Sequence, residues 1–283
     1  MEKEKKVYKI LKKDLNLKGT LESGQVFRYQ SIGHRFIVHA KDQQVIIEEK
    51  EKEYHFLCCS DEEFKFWKNY FAIDMDYYKI RNTWHWNPLL EEAYEYGKGI
   101  RILRQDPFET IINFIISANS HIPRIKKSIE LICKKWGRYV PGEVPYYTFP
   151  TPEELSKGTV QELRNIGKVG YRDKYIYNTV KLIHSGEKDI SSFYELDTLT
   201  LDKELQTLPG VGKKVSQCIL LFGFGRMEAF PIDTWMKRVL QEGLNMEKIP
   251  KNPIEFGKLA IGEGAGLAQQ YYFYYTRSKG GVR

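Results

Sequence analysis

The stretch Leu208-Pro209-Gly210-Val211-Gly212-Lys213-Lys214-Val215, with Asp233 nineteen residues beyond Lys214, holds the residue types for chemistry beside a phosphodiester. A Gly-rich turn opens a helix with lysine in its first turn and Val215, Cys218, Ile219 and Phe222 on its buried face. A helix N-terminus offers unpaired N–H groups and a partial positive charge, and so favours a phosphate. Gly210 and Gly212 let that backbone approach where a Cβ would collide. The same field, with partial burial, favours the neutral form of a nearby amine. A neutral amine is a nucleophile that forms Schiff bases with sugar or carbonyl carbon. The Gly-x-x-x-x-Gly-Lys-Ser/Thr spacing of a P-loop is absent. Downstream, Phe230-Pro231-Ile232-Asp233-Thr234-Trp235 gives an apolar entry, an Asp N-cap and a new helix through Met236, Val239 and Leu240. At this distance from Lys214, Asp233 is a candidate to stabilise positive charge on a sugar. The plainer alternative is a hairpin between two helices, with a solvated lysine and a structural cap.

Leu208 to Asp233 resembles the helix–hairpin–helix, Gly/Pro and aspartate motif of DNA base-excision glycosylases. Within that superfamily the chain most resembles the 8-oxoguanine DNA glycosylase/lyase family, over residues from about Asp14 to Tyr275. The resemblance implies that Lys214 is the nucleophile and Asp233 the motif aspartate, with the hairpin Gly210, Val211 and Gly212 on phosphate. Such an enzyme must rotate its target nucleotide out of the duplex, at a cost of roughly a few kcal/mol. Ser117-Ala118-Asn119-Ser120-His121-Ile122-Pro123-Arg124 is, by itself, an ordinary polar break between two helices. By resemblance it is the segment inserted at the lesion. Asn119 is then the gap-filling residue, Arg124 and Arg172 contact the opposite cytosine, and Tyr171 wedges beside that base. Arginine only donates, and cytosine presents O2 and N3 as acceptors.

The resemblance also implies a base pocket. Gln269 and Phe273 lie four residues apart and so share a helix face, the glutamine for a purine edge and the phenylalanine for stacking. The carbonyl of Gly24, in Ser23-Gly24-Gln25-Val26-Phe27, accepts the N7 hydrogen that distinguishes oxidised guanine. Cys218, one turn after Lys214, is either a thiolate paired with that ammonium or a buried helix cysteine. Phe222 stands where eukaryotic members have methionine, Ser120 where they have asparagine and Trp235 where they have histidine. No cofactor is required and no metal with side-chain ligands is expected. A structural monovalent or divalent cation on the hairpin's backbone carbonyls is compatible with the superfamily.

Two elements of different class must position these residues. Up to about residue 80 the runs Val26–Tyr29, Arg35–His39, Gln44–Glu48 and Tyr54–Leu57 predict one antiparallel sheet, with a helix over about Asp61–Tyr70 packed on it. From about Pro88 the apolar period becomes helical. Asp106-Pro107-Phe108-Glu109 predicts a capping box, Thr151-Pro152-Glu153-Glu154 starts a further helix and Thr159-Val160-Gln161-Glu162 caps another. Helices follow from Pro123 to Gly137, Gly170 to Ser185, Pro253 to Leu259 and Gly266 to Arg277. The expected fold class is α+β: an antiparallel β-rich domain over 1–80, then an α-helical glycosylase region over 81–283. Its hairpin covers about 201–222 and its Gly/Pro-Asp loop about 223–235. Leu163-x-x-Ile166-Gly167-Lys168-Val169-Gly170-Tyr171-Arg172 echoes the hairpin, either by coincidence or as a second turn touching DNA nearby. Lys126, Lys127, Lys134 and Lys135 are a solvated face or a row along phosphate.

A net charge of +7 suits a polyanionic partner, expected to be double-stranded DNA containing oxidised guanine. No apolar run approaches the ~20 residues of a membrane span, and the charged start has no signal-peptide core. Cys58, Cys59, Cys133 and Cys218 show no metal-ligand spacing and suggest reduced thiols in the cytoplasm. A monomer is the default. The four-cysteine cluster of the endonuclease III and adenine glycosylase relatives is absent, which argues against those branches. The remaining alternatives are an alkylated-base glycosylase of the same superfamily and a non-catalytic helix–hairpin–helix DNA-binding module.

Overall fold

The computed structural model describes residues 5–281; Met1–Glu4, part of the charged start, and the last two residues lie outside them. The chain opens with β1 (Lys6–Leu11) and α1 (Leu17–Glu22), then β2 (Tyr29–Ile32), β3 (Arg35–Ala40), β4 (Gln43–Glu49), β5 (Glu53–Cys58) and α2 (Asp61–Tyr70). The five strands form one antiparallel sheet in the order β1-β5-β4-β3-β2. Strand side chains alternate between faces, so the register Val38↔Val45, Phe36↔Ile47 and Ile47↔Phe56 gathers these residues on one side. There they meet Trp67 and Tyr70 of α2 and its C-cap Phe71, while the N-cap Ser60 accepts from Glu63 N.

Two parts of this unit differ from the sequence reading. The edge strand β1 was not foreseen, because Lys6 and Lys9 interrupt its apolar signal; charged residues are common on sheet edges. The expected strand Val26–Tyr29 begins only at Tyr29. Val26 and Phe27 instead enter two different cores, one under the sheet and one among the helices.

The remainder is helical: α3 (Tyr77–Arg81), α4 (Pro88–Gly97), α5 (Pro107–Ser117), α6 (Ile122–Trp136), α7 (Pro152–Ser156), α8 (Val160–Asn165), α9 (Asp173–His184), α10 (Thr198–Leu205), α11 (Lys213–Gly223), α12 (Thr234–Arg238), α13 (Pro253–Ala260) and α14 (Ala265–Lys279). A small hairpin, β6 (Tyr139–Val140) with β7 (Tyr146–Tyr147), follows α6 and had no clear sequence signal. The capping boxes at Thr151–Glu154 and Thr159–Glu162 are complete. The one expected at Asp106–Glu109 is half made. Asp106 accepts from Glu109 N at 3.0 Å, but the Glu109 carboxylate turns to Arg28, 3.3 Å away. Both side chains are buried, and a buried charge persists only where it is paired.

That ion pair joins sheet to helices, and Gln25 adds a second joint. Its amide donates to Arg101 O at 2.8 Å and accepts from Leu103 N at 2.8 Å, while its own carbonyl accepts from Gln105 Nε2 at 2.7 Å. The segment leading out of α1 is thereby fixed against the chain entering α5.

Candidate active site

The hairpin forms because α10 and α11 share an internal clamp. Asp202 accepts from Ser216 Oγ at 2.6 Å and from Gln217 Nε2 at 3.0 Å, all three on the facing sides of the two helices. Gly210 turns the chain at φ +84, and a Cβ there would stand 2.8 Å from Tyr175 Cβ. Only glycine fits both the dihedral and the contact. Gly212 caps α11 with no side-chain acceptor, so the first N–H groups of the helix stay open. A Cβ on Gly212 would meet nothing within 4 Å, so its face is free for a ligand. Val211 is buried and anchors the turn.

Lys214 is the second residue of α11 and is half-buried. Its amine lies 5.3 Å from the Phe114 ring centroid, and Phe114 stacks on Phe222 at 5.4 Å. Phe222 is thus a wall behind the lysine, as expected for a residue on the buried face of α11. Gln217 Oε1 accepts from Phe230 N at 3.0 Å and steers the following loop back toward the start of α11. That loop ends at Asp233, the N-cap of α12, whose Oδ1 accepts from Met236 N at 2.9 Å. Among the described residues this is the single hydrogen bond to the Asp233 carboxylate. Lys214 and Asp233 line one cavity of about 670 Å³ together with Ser117–His121, Val215, Ile232, Thr234 and Lys237.

Cys218 answers one open alternative. Burial pushes its thiol pKa up; the nearby Lys214 charge pulls the other way but does not reverse it. Of the two readings, burial favours the helix cysteine, because desolvation opposes the thiolate more than the Lys214 charge supports it.

The base-recognition set lies on α14 and on the segment after α1, outside the residues that line this cavity. α14 docks tightly on α11: a Cβ on Gly266 would come within 2.5 Å of Leu221 Cδ1. Gln269 and Phe273 share a face of α14, with Gln269 buried and its Oε1 accepting from Gln270 Nε2 at 2.8 Å. Gly24 holds φ +76, and its missing Cβ would be 3.1 Å from the Phe273 ring. The Gln25 network fixes the backbone that carries Gly24. Gln25 was not singled out from the sequence; nothing but its burial distinguishes it from a surface glutamine.

The loop after α5 brings the remaining candidates together. Asn119 is exposed and left-handed, φ +49, a conformation asparagine tolerates. Tyr171 is 55% exposed, with its ring 4.3 Å under the Arg172 guanidinium. Arg124 is exposed, and among the described residues no hydrogen bond or ion pair engages its guanidinium. Arg172, expected with Arg124 to contact the opposite cytosine, is engaged within the protein in this structure. It is 4% exposed, and its Nε donates to Ala118 O at 2.9 Å, Nη1 to Val169 O at 3.1 Å and Nη2 to Asn119 O at 2.9 Å, with a further bond to Ala118 O.

The helix that follows the echoed turn, α9, packs on the hairpin. Tyr175 packs on Gly210, and Thr179 Oγ1 donates to Pro209 O at 3.0 Å. The four lysines of α6 are not one row. Lys126 lies 3.3 Å over the Tyr29 ring, where burial lowers its pKa to about 8; Lys127 pairs with Glu130 and Lys135 with Glu162. Trp235 sits 5.0 Å from the Arg238 guanidinium, and Ser120 lines the cavity. His121 and Lys237 also line it and were not singled out. Lys237 could have been found, since it follows Asp233 by one helical turn.

Known proteins resemble this chain in sequence and fold. Residues 7–111 match the family model described as 8-oxoguanine DNA glycosylase, N-terminal domain, and residues 112–258 match HhH-GPD superfamily base excision DNA repair protein. A probable N-glycosylase/DNA lyase of Methanothermobacter thermautotrophicus is 34% identical over 216 residues, 68% of each chain. The structure of MBOgg1 in complex with a low affinity DNA ligand superposes with a TM-score of 0.90 at 35% identity, over 99% of this chain and 100% of that one. The Clostridium acetobutylicum 8-oxoguanine glycosylase/lyase, bound to double-stranded DNA with cytosine opposite 8-oxoG, gives 0.88 at 35% identity, over 94% and 93%.

Proposed function

This chain belongs to the 8-oxoguanine DNA glycosylase family within the HhH-GPD base-excision superfamily, and on that premise we propose that it excises 8-oxoguanine opposite cytosine through a lysine Schiff base. The single observation that carries the mechanism is the shared cavity of Lys214 and Asp233. The open N-terminus of α11 and the bare face of Gly212 bind backbone phosphate beside the lesion. Asn119, in the cavity lining, and the exposed Tyr171, whose hydroxyl lies 3.4 Å from Ala118 O, enter the duplex as the nucleotide leaves it. Arg124 reaches the opposite base. Gly24 O accepts the N7 hydrogen, Gln269 reads the base edge and Phe273 stacks on it.

The Lys214 amine, giving up a proton, attacks C1′ as the glycosidic bond breaks and the base leaves with the bonding electrons. Asp233, with one oxygen held by Met236 N, stabilises the cationic sugar through the other. Ring opening gives an iminium ion. Loss of a C2′ proton then expels the 3′ phosphate, and water releases the lysine. No cofactor enters this sequence. A monovalent or divalent cation on the hairpin carbonyls would add only structure, and DNA binding with and without potassium or a chelator tests it. The two cores separate sheet from helices, but Leu103 joins the sheet's core and Phe27 and Tyr77 the helical one, so both cores cross the division near residue 80. The enzyme works as a monomer in the compartment that holds DNA; free thiols at all four cysteines support the cytoplasm.

Duplexes carrying 8-oxoguanine, an alkylated purine or no lesion, incubated with the protein and then borohydride, test the reading. Covalent trapping on the 8-oxoguanine duplex is expected. Preferential release of the alkylated base without trapping would favour the alkylated-base alternative, and binding without release a non-catalytic module.

A further inference from the structure

Adjacent residues of a helix point about 100° apart and ordinarily do not meet. Gln269 and Gln270 of α14 are an exception. Both are buried, and Gln270 Nε2 donates to Gln269 Oε1 at 2.8 Å. No hydrogen bond among the described residues engages Gln269 Nε2, and Gln270 Oε1 is buried without a partner. The next two residues anchor the helix. Tyr271 packs edge-on against Tyr94 of α4, and the Tyr272 hydroxyl accepts from Asn87 Nδ2, at the start of α4, at 2.9 Å. The amide pair is therefore carried on a fixed backbone. An unpaired buried acceptor costs stability, and an apolar side chain would fill the place of Gln270 without that cost. What the apolar replacement would lack is the donor to Gln269.

The two ends of a glutamine amide have nearly the same shape and opposite hydrogen bonding: the oxygen accepts and the nitrogen donates. Turned one way, the Gln269 amide offers Nε2–H to O6 and Oε1 to N1–H of a guanine-type edge. Turned end for end, it suits an adenine-type edge, whose N6 amine donates and whose N1 accepts. Packing alone does not choose between them. The donor from Gln270 does, because the reversed amide would set two NH2 groups against each other with no acceptor between them. In the orientation present, Oε1 keeps a second lone pair for the base.

We propose that Gln270 is a positioning residue that fixes the Gln269 amide in its guanine-reading orientation, and so sets selectivity for 8-oxoguanine over 8-oxoadenine. The wrong base then meets a donor where it donates and an acceptor where it accepts, and a buried site rejects such a mismatch strongly.

This inference rests on the reading of Gln269 as the base-edge contact, and one experiment separates their failures. Single-turnover release of 8-oxoguanine and of 8-oxoadenine, each opposite cytosine, is compared with cleavage at a preformed abasic site, where no base is read. The wild type should release 8-oxoguanine about a hundredfold faster than 8-oxoadenine or more. Gln270→Met is close in length and has no donor. It should shrink that ratio by about tenfold or more, while abasic-site cleavage falls by less than about threefold. In a Gln269→Met background, where no amide remains to be oriented, the same substitution should move the ratio by less than about twofold.

A wild type that does not distinguish the two lesions overturns the assignment. So does an unchanged ratio in Gln270→Met, an equal loss on all three substrates, or a full effect that persists in the Gln269→Met background. Gln270→Ala, which also removes the donor, takes the place of Gln270→Met if that variant does not fold. Wild-type protein without activity on any lesion duplex would instead sink the excision reading.

Discussion

Lys214 and Asp233 stand at the N-terminal turns of two successive helices and face one cavity of about 670 Å³. Neither is adjacent to the other in the chain. The Asp202 clamp and the Gln217 bond to Phe230 N bend the intervening loop so that both starts point the same way.

Lys214→Gln should abolish borohydride trapping and strand cleavage, while duplex binding stays within about threefold, because the phosphate contacts lie in the backbone of α11. Trapping and a binding isotherm on the same preparation check this. A variant that still traps would remove Lys214 as nucleophile.

Asp233→Asn separates the cap from the chemistry. Asparagine caps a helix about as well as aspartate, so thermal stability should hardly change. Base release should fall by about a hundredfold or more if the carboxylate stabilises a cationic sugar. Near-normal single-turnover release would leave Asp233 as a cap alone. Asp233→Ala should add a stability loss of ~1 kcal/mol.

Gly24→Ala places a methyl 3.1 Å from the Phe273 ring on a backbone at φ +76. Both the contact and the dihedral resist it, and the base pocket should narrow. We expect 8-oxoguanine excision to drop by about tenfold or more, with cleavage at preformed abasic sites retained. Equal losses on both substrates would mean that the change disturbs more than base recognition.

His39 sets an acid limit. Burial, reinforced by the Arg28 charge, lowers its pKa to about 3, and its Nε2 lies 3.0 Å from the Gln44 amide. The unfolded chain takes up this proton below about pH 6.5, whereas the folded chain does not until about pH 3. Stability is therefore lost as pH falls through that window, by up to ~1.4 kcal/mol per pH unit. Thermal denaturation between pH 7 and 5 should show a steeper decline in wild type than in His39→Gln. Parallel curves would contradict the assignment.

The chemistry was legible because it rides on local backbone form. A glycine turn, a following lysine and an Asp cap are short-range patterns, and they folded as their spacing implied. The strand β1 was hidden by its charges, since an edge strand tolerates lysine. Glu109 was misassigned for a related reason: its capping position is local, but its partner Arg28 lies 81 residues earlier. Cys218 could not be settled either way, because a thiol's charge depends on burial that no neighbour in the chain reports.

From the amino acids alone came the class of fold, the hairpin, the candidate nucleophile and its acid, since each follows from periodicity, capping and backbone freedom within a few residues. Only the tertiary structure decided which groups are free to act. It left Arg124 open and engaged Arg172, buried Cys218 and set the Phe273 ring against Gly24. Those states depend on desolvation and on partners brought from distant segments, and neither is written in residue spacing.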